Sequence, residues 1–418
     1  MNNDEVLLKV EHLCQYFRMG RRDLRAVDDV SFEIKKGEVF GLVGESGCGK
    51  TTTGRSIIKL YDITSGNIYF KGERVGAGTR SYKNAISQAR KAAAAQIKAL
   101  KAEVEADESK KEEVDAKIKE IKENLREVVR ENRTQIREAN LSSRKVDKRH
   151  AEKQIAKLKE EYKEKFAAVE GDEAATKALQ KEFNSRCRVA KKSRLITQIQ
   201  MIFQDPIASL DPRMTVREII AEGLIINGIR DKEYINEKVY EILETVGLVR
   251  EHADRYPHEF SGGQRQRIGI ARAIIMQPEM IIADEPISAL DVSIQAQVIN
   301  LLNDLRERLG LTILFIAHDL SVVKYFSDRI GVMYFGKMVE LASSEELFKN
   351  PLHPYTRSLL SAIPLPDPRY EKKRTRMTYN PIAEHDYSVN LPSLREVSPG
   401  HFVYCNDEEE AKYKEMIK

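Results

Sequence analysis

Ser261-Gly262-Gly263-Gln264 begins a segment that we expect to be a helix over about 262–275. At such a start the backbone N–H groups and the positive end of the helix dipole point at an anion. The two glycines allow another backbone to approach closely. In a single chain this surface faces outward, so we expect it to meet an anion held by a second subunit, and Asp291 in Ser288-Ala289-Leu290-Asp291 to cross the same interface.

A complete phosphate loop lies upstream of this tetrapeptide. The segment from Gly44 to Thr51 fits G-x-x-x-x-G-K-[ST] and follows the buried apolar run Val39 to Val43. In such a loop the backbone N–H groups surround the phosphates, Lys50 reaches the β- and γ-phosphates, and Thr51 binds Mg²⁺. We therefore predict ATP and Mg²⁺ as ligands. The predicted ATP contacts in this loop are Gly44, Glu45, Ser46, Gly47, Cys48, Gly49, Lys50, Thr51 and Thr52.

Four polar residues follow apolar strand patterns elsewhere in the chain. Asp284 ends one such strand and is predicted to hold Mg²⁺ through water, while Glu285 after it is the candidate general base. Gln204, past a short strand, is predicted to join the Mg²⁺ and water shell. His318, at the end of another strand, is predicted to contact the γ-phosphate and orient the water. The predicted catalytic residues are thus Glu285, His318 and Gln204, and the predicted Mg²⁺ residues are Thr51, Gln204 and Asp284.

An aromatic residue near the start of the chain is a candidate for the adenine contact. Tyr16 can stack on the base because a flat aromatic face needs no hydrogen-bond readout. Core packing of Tyr16 is the competing interpretation, and Phe17 is the alternative stacking residue.

The order of patterns predicts an α/β protein. Strands and helices alternate after about residue 199, which favours a mostly parallel sheet, whereas residues 5–76 are rich in alternating strand patterns. Helical segments over about 216–248 precede the tetrapeptide. Beyond Asn350 the chain is rich in proline, and we expect an extended segment wrapping the surface.

Residues 81–190 have a different composition, dominated by Ala, Glu, Lys and Arg. Their apolar residues recur at alternating spacings of three and four, which is coiled-coil periodicity; they are Ile97, Leu100, Val104, Val114, Ile118, Ile121, Leu125 and Val128. The polar stretch Asn140 to Lys148 is predicted to be the turn of an antiparallel hairpin, and Gly171-Asp172 is predicted to interrupt the second arm. At 1.5 Å per residue the first arm would measure roughly 80 Å, so we expect it to project as a spur.

Composition excludes several other classes. No apolar stretch approaches the roughly 20 residues that span a bilayer. The four cysteines contain no C-x-x-C pair, which argues against a disulfide framework or a zinc site. The net charge of +4 arises in residues 81–190, where 27 Lys and Arg are mixed with 21 Asp and Glu. Because phosphate binding over a nucleic-acid surface needs a cationic stripe, we expect no nucleic-acid partner.

Taken in order, these motifs resemble the ABC transporter ATPases over residues 5–80 and 191–345. The resemblance is closer to the F-type ATPase subunit of bacterial oligopeptide and dipeptide importers. It rests on four segments: Ile199 to Pro206, Tyr256 to Gln264, Pro286 to Ser293 and Asn350-Pro351-Leu352-His353-Pro354-Tyr355-Thr356.

The resemblance implies a P-loop NTPase fold with a RecA-like core, an antiparallel β subdomain and a helical subdomain over about 205–260. It assigns residues 1–80 and 191–345 to the ATPase domain, 81–190 to an inserted coiled-coil hairpin and 346–418 to a C-terminal extension typical of oligopeptide importers. It implies ATP hydrolysis coupled to peptide import at the cytoplasmic face of the cell membrane. The implied partners are a second ABC ATPase subunit, two transmembrane permease subunits and an extracytoplasmic peptide-binding protein.

The main alternative is a DNA-repair or chromosome-structuring ATPase, a class that also inserts a coiled coil into an ABC core. Here the insertion precedes Gln204 instead of following it, and no C-x-x-C hook lies near Ser142. A translation-factor ATPase should carry two cassettes, whereas this chain carries one signature. The sequence therefore favours the importer subunit.

Overall fold

The computed structural model describes residues 5–20, 22–106, 108, 111–169, 172–363, 376–388 and 390–417. The strands are β1 (Val6–Met19), β2 (Arg22–Lys35), β3 (Val39–Val43), β4 (Ser65–Phe70), β5 (Glu73–Ala77), β6 (Ile199–Ile202), β7 (Met280–Asp284), β8 (Thr312–Ala317), β9 (Arg329–Tyr334), β10 (Lys337–Ser343), β11 (Ser393–Ser398) and β12 (His401–Cys405). The longer helices are α1 (Lys50–Ile57), α2 (Arg80–Ala106), α3 (Lys111–Ala168), α4 (Glu173–Ala190), α5 (Val216–Ile226), α6 (Lys232–Thr245), α7 (Gly262–Ile274), α8 (Val292–Leu309), α9 (Leu320–Phe326), α10 (Ser344–Lys349) and α11 (Pro354–Ser361). A short helix, Pro381–Glu384, and a terminal helix, Asp407–Ile417, follow.

An eight-stranded sheet in the order β11-β12-β10-β9-β3-β8-β7-β6 forms the centre of the fold. Strands β9, β3, β8, β7 and β6 run parallel, and every residue of β3, β7 and β8 is buried. Burial on both faces explains why these strands read as continuous apolar runs. The predicted α/β class is confirmed. Because the strands are parallel, their carboxyl ends meet at one edge of the sheet, where the candidate site lies.

The first part of the chain forms an antiparallel sheet in the order β2-β1-β4-β5. Its inward side chains, including Leu8, Ile34 and Phe70, share a core with Phe40 and Leu42 of β3. This core fixes the start of β3, and hence the loop that follows it, against the rest of the fold.

Two helices, α5 and α6, form a small helical layer between β6 and α7. Thr215 and Glu218 form a capping box that starts α5. Ile220 of α5 and Leu243 of α6 are buried in the main core, which also contains Ile268 of α7. The helical layer is therefore packed onto the helix that carries Ser261 at its N-cap.

The segment predicted to be an insertion, residues 81–190, forms three helices among its described residues, α2, α3 and α4. Helix α2 pairs with the first part of α3 through the periodic apolar seam, in which Ala93, Val114 and Ile118 are buried. We call this pair the long spur. The side chain of Val104, predicted to lie in the same seam, is outside the described residues. Among helices of the described residues, none combines the length and the apolar character needed to cross a bilayer.

The predicted turn at Asn140 to Lys148 is wrong, because α3 runs unbroken through it for 58 residues. A helix of that length measures about 87 Å. This polar stretch docks on the body of the protein: Val146 is buried in the core under the antiparallel sheet, and the Asp147 carboxylate accepts a hydrogen bond from Leu195 N at 3.2 Å. The polarity of this stretch, which suggested a turn, is therefore explained in part by hydrogen bonding to the body of the protein.

Beyond this docking segment, the second part of α3 pairs with α4 as a short spur. Tyr162 is fully buried there, and its ring lies 5.2 Å from that of Phe183. Asp172 caps α4 by accepting hydrogen bonds from Ala174 N and Ala175 N at 3.0 Å. The predicted interruption at Gly171-Asp172 thus corresponds to the end of α3 and the start of α4, with Gly171 itself outside the described residues.

The C-terminal part of the chain is folded, which corrects the expectation of an extended wrapping segment. Strands β11 and β12 form a hairpin that adds to β10 at the edge of the central sheet. Val403 and Cys405 are buried with Tyr413 of the terminal helix in a small core of their own. The proline-rich composition did not reveal these strands, and residues 364–375, which hold Pro364, Pro366 and Pro368, are outside the described residues.

Candidate active site

The phosphate loop connects β3 to α1 and presses closely against neighbouring backbone. Gly44 and Gly49 have φ angles of 147° and 108°, which favour glycine. A Cβ at Gly44 would lie 2.2 Å from Met333 O, and one at Gly49 would lie 2.2 Å from Ala26 O. The glycine spacing read from the sequence therefore reflects both backbone conformation and the absence of room for side chains.

Lys50 is buried within the loop and bonds to its carbonyl groups. Its Nζ donates to Gly44 O at 2.7 Å and to Glu45 O at 2.9 Å. Cys48 Sγ lies 3.7 Å from the same ammonium, and burial raises the pKa of the Cys48 thiol. The loop thus keeps a cation at its centre, beside the N-terminus of α1, where a phosphate chain is favoured.

A buried carboxylate lies beside the first turn of α1. Thr51 Oγ1 donates to Asp284 Oδ1 at 2.7 Å. Asp284 Oδ2 is buried and has no hydrogen-bond partner among the described residues, and burial raises the pKa of this carboxyl. Hydroxyl and carboxylate oxygens are the ligands that Mg²⁺ prefers, and a cation would satisfy the unpaired oxygen. The residues present fit a Mg²⁺ site.

The three predicted catalytic side chains meet at one carboxylate. Glu285 Oε2 lies 3.0 Å from Gln204 Nε2, which donates to it, and 3.2 Å from His318 Nδ1. Glu285 has a φ of 44°, a strained value for a residue with a side chain, and its N–H donates to Ile316 O at 2.9 Å. The ends of β6, β7 and β8 therefore converge on one candidate base. Gln204 bonds to Glu285 in this arrangement and not to Asp284.

The two aromatic candidates near the start of the chain point in different directions. The Tyr16 hydroxyl donates to Asp28, and the guanidinium groups of Arg25 and Arg80 lie 5.5 and 5.7 Å from its ring centre. Burial, with the Asp28 bond, raises the pKa of Tyr16. Phe17 instead packs edge-on against Tyr61 at 5.2 Å. Stacking of either residue on adenine stays a prediction.

The tetrapeptide at the start of α7 forms a capping box. Ser261 N donates to Gln264 Oε1 at 3.0 Å, and Gln264 N donates to Ser261 Oγ at 3.4 Å. Ser261, Gly262 and Asp291 are exposed. The structure thus keeps these residues at the surface of the chain, and their contact with a second subunit stays a prediction.

One residue beside the loop was not assigned a role by the sequence analysis. Tyr355 belongs to the C-terminal motif, yet its hydroxyl accepts a hydrogen bond from Glu45 N at 3.0 Å. The motif itself was visible in the sequence. Its position behind the phosphate loop was not, because the two segments are 310 residues apart.

The chain is similar to known families and proteins. The chain matches the family model "ABC transporter" over residues 27–169 and 169–288, and the model "Oligopeptide/dipeptide transporter, C-terminal region" over residues 339–388. It is 47% identical over 406 residues to the oligopeptide transport ATP-binding protein OppF of Bacillus subtilis, covering 97% of this chain and 98% of that protein. It is 41% identical to AmiF of Streptococcus pneumoniae, covering 99% of each chain. It is 40% identical to the dipeptide transport ATP-binding protein DppF of Lactococcus lactis, covering 99% of this chain and 98% of that protein.

Proposed function

This chain belongs to the ABC transporter family, and we propose that it is the ATP-binding and ATP-hydrolysing subunit of an importer for oligopeptides or dipeptides. The observation that carries the proposal is the convergence of Gln204, Glu285 and His318 beside the phosphate loop and the Thr51–Asp284 pair. The named relatives are transport ATP-binding proteins, and the chain is similar to them over almost their whole length. No observation favours the DNA-repair alternative.

Each residue has a role in the proposed reaction. The phosphate loop binds the triphosphate, and Lys50 exchanges its loop carbonyls for phosphate oxygens. Thr51 and Asp284 hold Mg²⁺, which supplies charge neutralisation of the phosphates when bound. Glu285 accepts the proton of the attacking water, and His318 and Gln204 orient the carboxylate and that water.

The exposed capping box of α7 supports a composite site. We assign Ser261 to Gln264 to the ATP held by a second ATPase subunit, with Asp291 crossing the same interface. Two transmembrane permease subunits and an extracytoplasmic peptide-binding protein complete the proposed assembly, which places this chain at the cytoplasmic face of the membrane. Closure of the ATPase pair moves the permease through the Gln204 region and the layer of α5 and α6, and hydrolysis reopens it.

The test is purification of the affinity-tagged full chain from its native membranes in mild detergent. We expect a second ATPase, two multi-span proteins and a peptide-binding protein to copurify, and peptide to stimulate ATP hydrolysis by the complex. The Glu285→Gln chain serves as the matched control, because it should assemble without hydrolysing ATP at its own site. A particle with nucleic acid and no membrane protein would contradict the proposal.

A further inference from the structure

The C-terminal extension reaches the phosphate loop through one side chain. Tyr355, in the first turn of α11, is only 2% exposed. Its hydroxyl oxygen accepts a hydrogen bond from Glu45 N at 3.0 Å. A residue outside the ATPase motifs therefore contacts the backbone of the loop proposed to bind phosphate.

The loop residue that Tyr355 contacts is held from two sides. Glu45 O accepts from Lys50 Nζ at 2.9 Å inside the loop, while Glu45 N donates to Tyr355 outside it. If Lys50 moves to phosphate oxygens, the Glu45 carbonyl loses that bond. The bond to Tyr355 does not depend on Lys50, so it can keep this peptide in place.

Aromatic packing fixes the position of the Tyr355 ring. The ring centre lies 4.4 Å from that of Tyr334, at the end of β9, and 5.6 Å from that of Tyr379. Met333, the residue before Tyr334, is the one whose carbonyl lies against Gly44. Tyr355 and the end of β9 thus support neighbouring residues of the same loop.

A buried carboxylate holds the start of α11. Glu340 of β10 has no exposed surface, and it accepts hydrogen bonds from Leu352 N at 2.8 Å and His353 N at 3.0 Å. His401 of β12 lies 2.8 Å from the same carboxylate. His353 then caps α11 by accepting from Tyr355 N at 3.2 Å. A continuous set of bonds therefore links β12 and β10 to the phosphate loop.

We infer that Tyr355 is a positioning residue for nucleotide binding, which sets the conformation of the phosphate loop through the Glu45 N–H. The inference rests on the proposed function of this loop as an ATP site. Tyr355 touches no reacting atom and acts through Glu45. It gives the C-terminal motif a role in the affinity of the ATPase core for nucleotide.

The experiment replaces Tyr355 by phenylalanine in the full chain, which removes the hydroxyl and keeps the ring. Loss of one partly buried hydrogen bond from the bound conformation should raise the dissociation constant for Mg-ATP about five- to tenfold. The turnover at saturating ATP should stay within about twofold, since Glu285 is untouched. The control is Tyr404→Phe, which removes a hydroxyl that accepts from Lys337 Nζ at 3.0 Å, elsewhere in the extension.

A second measurement does not depend on nucleotide. Amide hydrogen exchange in residues 44–48 should be faster in Tyr355→Phe than in the unmodified chain, and unchanged in Tyr404→Phe. Unaltered exchange together with unaltered affinity would overturn the inference while leaving the proposed function intact. Failure of the unmodified chain to bind Mg-ATP would instead overturn the proposed function.

Discussion

The strands around the candidate active site and the helices α2 to α4 have equally clear sequence patterns, yet the two regions differ in how those patterns relate to structure. In the core, the predicted polar residues follow buried strands, and parallel strands bring their ends to one edge. In the insertion, the apolar period predicted helices and a seam, but the polar docking segment of α3 was interpreted as a turn. Strand ends locate polar residues in space, whereas helix periodicity alone does not say which polar face meets a partner.

The largest expected effect tests whether the core site depends on one carboxylate. Glu285→Gln keeps the shape of the side chain but cannot accept a proton, so hydrolysis should fall by about 100- to 10,000-fold while ATP binding is retained. Turnover and nucleotide affinity measure the two parts separately. The matched control is Glu279→Gln, just before the other end of β7, which should hydrolyse normally. Normal turnover in Glu285→Gln would remove Glu285 as the base.

The second prediction asks whether the docking segment of α3 belongs to the core. Val146 is 5% exposed beneath the antiparallel sheet, and Val146→Asp would bury a charge there. We expect a loss of about 3 kcal/mol in the free energy of unfolding of the ATPase domain. Thermal or urea denaturation measures this loss.

Val114→Asp is the control for that change, because Val114 is equally buried, at 3% exposure, but lies in the long spur. It should loosen α2 from α3 and leave the ATPase domain as stable as before. Equal destabilisation of the ATPase domain by both substitutions would erase the distinction between docking segment and spur.

The third prediction concerns acid and the start of α11. Burial, reinforced by the neighbouring His385 and Arg357, lowers the pKa of His353 to about 3 from its ordinary value of 6.5. Between those values the unfolded chain holds a proton on His353 that the folded chain lacks, so stability falls as pH falls below about 6.5. The loss from this group at pH 5 is about 2 kcal/mol.

Unfolding curves between pH 7 and pH 5 measure this dependence. His353→Asn keeps a capping acceptor for Tyr355 N and should show a correspondingly shallower decline in stability. His12→Asn, at a histidine that is 79% exposed, controls for the loss of one histidine. Parallel declines in all three chains would show that His353 does not titrate on unfolding.

The smallest effect tests the ion pairs at the docking segment. Glu73 of β5 lies 3.4 Å from Arg149 and 3.7 Å from Lys153, and its side chain is 27% exposed. Because partly exposed pairs contribute little, Glu73→Ala should lower the free energy of unfolding by less than about 1 kcal/mol. Urea denaturation measures this change in the free energy of unfolding. The control is Glu173→Ala, which removes the exposed ion pair between Glu173 and Lys177. A larger loss would mean that charges, more than Val146, hold the insertion on the core.

The sequence predicted the parallel sheet and located the candidate catalytic residues at strand ends, because both follow from local patterns. Buried runs marked β3, β7 and β8, and Asp284, Glu285 and His318 follow two of them directly. It did not predict that α3 is continuous, since a polar stretch has the same composition in a turn and in a docking face. Nor did it reveal β11 and β12, because the short pairing of β12 with β10 depends on contacts far away in sequence.

The contact of Tyr355 with the phosphate loop was also not visible in local sequence patterns. Its motif was recognisable, but a hydrogen bond across 310 residues has no local signal. The predicted adenine contact shows a further limit. Tyr16 and Phe17 are adjacent in β1, so their side chains lie on opposite faces of the strand, but only the structure shows that Tyr16 meets Asp28 and Phe17 meets Tyr61.

The addition of β12 to β10 has a consequence for the synthesis of this protein. Strand β10 ends at Ser343, but β12, its partner on that edge, begins only at His401, so residues 344–405 must be synthesised before that edge is paired. Until then β10 presents unpaired N–H and C=O groups, which are templates for association with other chains. We therefore expect protection of this edge during synthesis of residues 344–405 to limit association between incomplete chains.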